Sequence, residues 1–358
     1  MIRARRLPSV VASDDLTPRD DVDRSVRAGL IGLFLIVAVT IPDHLSPSYF
    51  DLVSRGIAYS VAVLSLVVLV GLVGQFSLAQ AGFMGVGALV AAHLVTSAHV
   101  PFLLAVPLGG LATVPVGMVA AIPALRVSGV YLAVVTLSFG EVLQKLFFDA
   151  PDNGGTLGGV ALARPGFLES STHYYWFELG VLMALIAFVC MFRTRRTGRN
   201  LAAVRESEAA ALSVGINLTR AKLTAFGLSA FIAGVGGVLY AANSQIASPD
   251  SFGPFDSIAL LAVAVIGGLG SAAGAVLAGL FKTVSPVLIA NILGHFGSGT
   301  GHAGDIAGIV FGAGLVAQLL IAPLGVASQV LKAERRLAGA VRSLLHRGGQ
   351  TAGIEAVN

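Results

Sequence analysis

Charged side chains are scarce in this chain. Only 12% of its 358 residues are Asp, Glu, Lys or Arg, about half the usual share of roughly 25% in a soluble domain. With 55% hydrophobic residues and a mean hydropathy of +0.85, the composition excludes a soluble globular protein. Cysteine is nearly absent. Cys190 alone can build neither a disulfide nor a thiolate metal site, and its place in an apolar run predicts a small buried residue. No G-x-x-x-x-G-K-[ST] loop occurs, and no lysine follows a glycine anywhere, so the chain does not bind ATP by a phosphate loop. H-E-x-x-H, G-x-S-x-G and paired-cysteine spacings are missing too, so nothing marks an enzyme, a cofactor site or a metal site. The first 25 residues mix arginines with aspartates and lack the apolar core of a secretory signal, which predicts a cytoplasmic tail. No basic, aromatic-interleaved domain supports nucleic-acid binding, so the pI near 9.5 reflects topology.

Long apolar runs fill the rest. Crossing the hydrocarbon core takes about 20 apolar residues, and every backbone amide there needs an internal partner. The sequence therefore predicts an all-α polytopic membrane protein with about ten transmembrane segments, eight to ten depending on the ninth. They lie near 27–42, 54–73, 81–98, 102–123, 129–148, 175–192, 222–242, 257–281, 283–294 and 305–323. The ninth, KTVSPVLIANIL, is short enough to be re-entrant or broken. The expected division is a cytoplasmic tail over 1–26, a transmembrane domain over 27–325 and a second tail over 326–358 on the anionic inner leaflet.

Basic residues near span ends favour the cytoplasm. With both termini inside, Arg3, Arg5, Arg6, Arg19, Arg24, Arg27, Arg126, the 193–222 segment, Lys282, Lys332, Arg335, Arg336, Arg342 and Arg347 fall on that side. The other side receives Asp43, Asp51, Asp149, Asp152, Glu169, Asp250, Asp256 and Asp305, with Arg55 and Arg164 as exceptions.

Polar residues at membrane depth are costly unless paired or facing water, so each points to a site. Glu141 and Lys145, four apart with the acid first, have the favourable order for an intrahelical ion pair. They either neutralise each other or line a path. Gln75, Ser77 and Gln80, in GQFSLAQAGF, either cap helix ends facing a path or form a cytoplasmic turn. His93 and Asn291 are expected to be satisfied by neighbouring helices. GGLGSAAG, from Gly267 to Gly274, ends an apolar span and does not open a soluble strand–turn–helix unit, so close packing through Gly270 and Gly274 is favoured over a dinucleotide loop. Glycines recurring along helix faces suit either a transport core or static packing.

One interior segment is strongly polar. Between Arg193 and Lys222 lie seven basic residues and two glutamates. LAAVRESEAAALSV places Leu201, Val204, Ala211 and Leu212 at helical spacing, and Gly215 suits the helix end. Such a helix either docks in a partner's groove, its apolar residues as anchors and its charges, Arg205, Glu206 and Glu208, setting the register, or lies flat on the inner leaflet.

In the same order along the chain, GLVGQFSLAQAGFMGVGAL, GVYLAVVTLSFGEVL, DNGGTLGGVAL, GRNLAAVRESEAAALSVGIN, TRAKLTAFGLSAFIAGVGGVLYA and SPDSFGPFDSIALLAVAVIGGLGSAAGAVLAG resemble the permease subunits of branched-chain amino-acid ABC importers, over about Gly56 to Leu320. The resemblance implies an EAA-type loop that contacts an ATPase, its role falling on Glu208, Ala209, Ala210 and Gly215. Four residues separate Ala210 from Gly215, where the general ABC-importer pattern has three. It further implies a second related permease subunit, two cytoplasmic ATPases carrying the ATP and Mg²⁺, an extracytoplasmic solute-binding protein, a bacterial inner-membrane location and alternating access. A pathway lined by Gln75, Ser77, Gln80, Thr136, Glu141, Lys145, Gly267, Gly268, Gly270 and Ser271 is expected. Permeases for urea, amides, sugars or nucleosides, and an ATP-independent secondary transporter, stand as alternatives; the last usually shows inverted repeats, and no internal repeat is evident here.

Overall fold

The computed structural model describes residues 47–127, 129–150, 158–296 and 312–313. The expected first span, both tails and all but two residues of the tenth span lie outside the described residues. Among the described residues the architecture is helical apart from one two-residue strand pair, as the apolar runs require. Helix α1 (Pro47–Val68) continues as a π-helical turn, Leu69–Val73. It is followed by α2 (Gln80–Thr96), α3 (Phe102–Ala120) and α4 (Val130–Leu143), the last running into a second π turn, Gln144–Phe148. After α5 (Ser171–Thr194) come two short helices, α6 (Arg196–Glu206) and α7 (Glu208–Ser213). Helices α8 (Leu218–Ser244), α9 (Pro254–Gly267) and α10 (Ala272–Phe296) complete the series. Strands β1 (Val160–Ala161) and β2 (Ile246–Ala247) pair antiparallel, Val160 opposite Ala247.

Six of these helical stretches are long and apolar enough to cross a membrane; α2 and α9 are shorter. Helix α1 is buried along its whole apolar length and α8 along most of it, whereas α3, α4, α5 and α10 bury only one side. Close packing around the central pair depends on glycine. A Cβ on Gly237 of α8 would run into the Met84 backbone of α2, and one on Gly87 of α2 into the backbone of Gly234, so the two helices touch backbone to backbone. Helix α10 runs antiparallel to α1: Asn291 donates to the Tyr49 hydroxyl (2.8 Å), Gly279 packs on Ser60, and Leu269 just before α10 lies against Gly71.

Two expectations about the last spans are corrected here. The apolar run at 257–281 is not one span, because Gly268 takes φ +98° and Ser271 accepts the Gly274 amide at 2.9 Å, starting a new helix. The segment 283–294 is accordingly the second half of α10 and not a short span of its own. Lys282, expected in a cytoplasmic loop, sits in the middle of α10, and Asp256, expected on the outer face, pairs with it at 3.1 Å. Residues 3.1 Å apart cannot lie on opposite sides of a bilayer. Cys190 is also exposed, contrary to expectation. Helix α5 buries the stripe Tyr175, Leu179, Leu182, Leu185 and Val189, and Cys190 falls off it.

Candidate coupling surface and translocation wall

The polar segment at 193–222 folds as two helices and not one. Ser207 leaves helical geometry (φ −161°) and accepts the Ala210 amide with its side chain at 3.2 Å, so α6 ends and α7 begins there. Leu201, Val204 and Ala211 are buried, as their spacing predicts; Leu212 is 56% exposed, because a helix of six residues buries only Ala211. Gly215 closes α7 at φ +80°. A groove of about 380 Å³ opens between the two helices, lined by Ala202, Ala203, Glu206, Ser207, Ala210 and Val214 among others. Its alanines and the exposed Val214 beside Glu206 and Ser207 make an apolar notch with polar edges.

This segment is held rigidly to the spans. Arg205 donates to the Gly71 carbonyl (2.6 Å) at the π turn that ends α1. Arg193 at the end of α5 donates to Gly270 O (3.1 Å), in the break between α9 and α10. Lys222, buried at the base of α8, reaches the Ala124 carbonyl (3.0 Å) and the Glu208 carboxylate (2.9 Å), pinning α7. The two interruptions of the bundle and the groove are thus joined by direct side-chain contacts.

The first interruption is built from the residues between α1 and α2. Residues 74–79 are non-helical, with Gln75, Ser77 and Ala79 buried, a backbone state tolerated in a membrane only when protein supplies the partners. Thr136 accepts the Leu78 amide (2.9 Å), Ser77 the Ala79 amide (3.3 Å), and Ser257 of α9 the Ala81 amide (3.0 Å). Gln80 is fully buried between Ser65 and Ser229, at 2.9 and 3.3 Å. Gln75 is buried, with no hydrogen-bond partner for its Oε1 among the described residues. The segment leads directly into α2, with Gln80 level with Ser65 near the C-terminal end of α1.

Of the expected pathway residues, Gln75, Ser77, Gln80 and Thr136 meet at this break, and Gly267, Gly268, Gly270 and Ser271 form the other one. Gly267, not Gly270, is the partner of Gly274; a Cβ on Gly270 would meet nothing. Glu141 and Lys145 lie on the exposed side of α4, and no ion pair joins them among the described residues. His93 bonds the Leu89 carbonyl one turn earlier in its own helix (2.8 Å), whereas Asn291 reaches the Tyr49 hydroxyl of α1, the neighbouring-helix partner expected of it.

Across residues 48–320 the chain matches the family described as the permease component of the branched-chain amino acid transport system. The chain belongs to that family. The permease is 31% identical over 311 residues to the high-affinity branched-chain amino acid transport system permease protein LivM of Escherichia coli K12, covering 79% of this chain and 73% of the relative. It is 32% identical to LivM of Salmonella typhimurium over 71% of this chain and 67% of the relative. The L-arabinose ABC transporter permease protein AraH of Azospirillum brasilense is 27% identical over 74% of this chain and 76% of the relative. No solved structure matches. The permease is a transport subunit of an ABC importer and a multi-pass protein of the bacterial inner membrane. ATPase and substrate-binding partners follow from that membership.

Several side chains of the permease went unnoticed in the sequence. Lys222 looked like the first residue of a span, and Arg193 like one more positive charge. Glu178 is fully buried, accepts a hydrogen bond from Ser54, and fastens α5 to α1. The available signal was a lone ionisable residue inside an apolar run, at Glu178 in YYWFELGVLMALIAF and Lys282 in LAGLFKTVSPVLI.

Proposed function

We propose that the permease carries branched-chain or related amino acids inward by alternating access, driven by separate ATPase subunits that bind ATP and Mg²⁺ and seat in the groove between α6 and α7. The observation that carries this reading is the pair of contacts from the coupling segment to the two helix interruptions, Arg205 to Gly71 and Arg193 to Gly270. A push on α6 reaches the first break directly through Arg205 and the second through Arg193, at the end of α5 just before α6, which a flexible loop cannot provide. A second related permease subunit, a pair of ATPases and an extracytoplasmic binding protein complete the assembly in this reading. Substrate choice rests largely on the binding protein.

Replacing Ala210 with Glu tests the docking. The residue is exposed at the groove, so the variant should insert normally yet fail to co-purify with its ATPase, and uptake should fall to background. Normal uptake at normal expression would favour a groove that merely rests on the inner leaflet. The likeness to an L-arabinose permease supports a second reading, a sugar as cargo. The ligand carried by the co-purified binding protein decides between them.

A further inference from the structure

An ion pair inside the membrane is exceptional, and this chain has one that its sequence disguised. Asp256 lies in the first turn of α9 and Lys282 at the middle of α10, with the carboxylate oxygen 3.1 Å from the ammonium nitrogen. Their depth follows from register. Lys282 is nine residues before Asn291, which meets Tyr49 at one end of α1, and thirteen after Leu269, which meets Gly71 at the other. The helical stretches from Lys282 on to Asn291 and back to Ala272, where α10 begins, are about 14 and 15 Å long, so neither end of the span is close.

Such charges survive only when they face protein or water. On the inner side Lys282 lies over the Tyr59 ring (4.1 Å), and Tyr59 packs on Tyr240 (5.1 Å). The other side is open: 33% of the Asp256 side chain and 12% of the Lys282 side chain are exposed. The sequence neighbours of the pair, Phe255 (82% exposed) and Phe281, are exposed apolar residues on the same two helices. Helix α4 borders the same region, because Gly140 packs on Leu78, Leu143 on Gly82, and the adjacent Ala81 amide donates to Ser257. It presents exposed Glu141 and Lys145 at about this depth. Four ionisable groups on one wall of the bundle do not suit a lipid-facing surface.

We propose that Asp256 and Lys282 form the head-group site for a zwitterionic amino acid crossing the permease. This rests on the transport reading above. The substrate ammonium sits on the Asp256 carboxylate and the substrate carboxylate on the Lys282 ammonium, while an apolar side chain lies against Phe255 and Phe281. A pre-formed pair of opposite charges gives each end of the zwitterion a partner and leaves the site neutral when the cargo departs. Tyr59 holds the lysine in place through its ring face.

The test uses the whole importer, with its ATPases and binding protein, in membrane vesicles. The double variant Asp256→Asn, Lys282→Met removes both charges without stranding either, so it should insert. Uptake of radiolabelled leucine should fall at least about tenfold, the loss of one to two charge-assisted hydrogen bonds. Normal leucine uptake by the double variant overturns the site and leaves a structural ion pair. Phe255→Cys in a Cys190→Ser background gives a readout independent of that variant's folding. A membrane-impermeant, charged thiol reagent should modify Cys at this position, and excess leucine should slow the reaction. Modification by a membrane-permeant maleimide but not by the charged reagent places the wall against lipid and overturns the proposal. If wild-type vesicles take up no amino acid at all, the transport reading fails first, a result distinct from either of these.

Discussion

Single atoms decide how closely α2 and α8 approach. Gly237 touches the Met84 backbone and admits no Cβ without displacing it. Gly237→Ala should therefore lower the thermal unfolding midpoint of the purified permease, by an overpacking cost of about 1–3 kcal/mol. Gly180 of α5 has nothing within reach of an added Cβ, so Gly180→Ala should leave the midpoint unchanged. A shift at both positions, or at neither, would show that the helix pair does not pack as described. Gln80 illustrates a different residue-scale effect. Its amide bridges Ser65 of α1 and Ser229 of α8, and Gln80→Leu should cost roughly 0.6–1.7 kcal/mol, the range found for interhelical hydrogen bonds within membranes.

Among the elements, α6 and α7 are the pair whose boundary matters most. Ser207 caps α7, Lys222 holds Glu208 of that helix, and Arg205 fastens α6 to the end of α1. Arg205→Met keeps much of the side chain's packing and removes its donors. The variant should still co-purify with the ATPase, because the groove between α6 and α7 is intact, but ATP hydrolysis should no longer drive uptake. Full coupling in Arg205→Met would mean that motion reaches the spans by another route, Arg193 to Gly270 being the obvious one. Helices α2 and α9 are the other notable elements. At 17 and 14 residues, about 26 and 21 Å, each is shorter than a hydrocarbon core of about 30 Å. Their first turns meet through Ser257 and the Ala81 amide, which gives the broken backbone inside the bundle one of its partners.

At the scale of the whole molecule, orientation is the quantity to check. Arg193, Arg195, Arg196, Arg199 and Arg205 gather at one end of the described bundle, with the connection between α5 and α8, the end that a positive-inside placement assigns to the cytoplasm. Exposed Glu169, just before α5, lies at the other end. In a Cys190→Ser background, Glu169→Cys should react with an impermeant thiol reagent from outside intact cells, and Ala209→Cys only after the inner face is opened. Labelling of both from outside would reverse the topology.

Hydrophobic run length and charge placement are local in sequence, and they determined the helical membrane class, the spans around Tyr49–Val73, Phe102–Ala120, Tyr131–Phe148, Ser171–Thr194 and Leu218–Ser244, and the exceptional polar segment at 193–222. The separated motifs were likewise enough to indicate the permease family. Contacts between distant segments were not legible. A run of apolar residues is silent about a break, so GGLGSAAG passed for the end of one span although Gly268 and Ser271 divide two helices. Charge counting treats every lysine near a span end as cytoplasmic and so puts Lys282 in a loop, whereas Asp256, 26 residues earlier, lies against it. Glu141 and Lys145 have the spacing for an ion pair, yet both point away from the bundle and do not meet. Pairing at membrane depth depends on which helix faces are brought together, and that is settled by the glycine-mediated packing of α1, α2, α8 and α10.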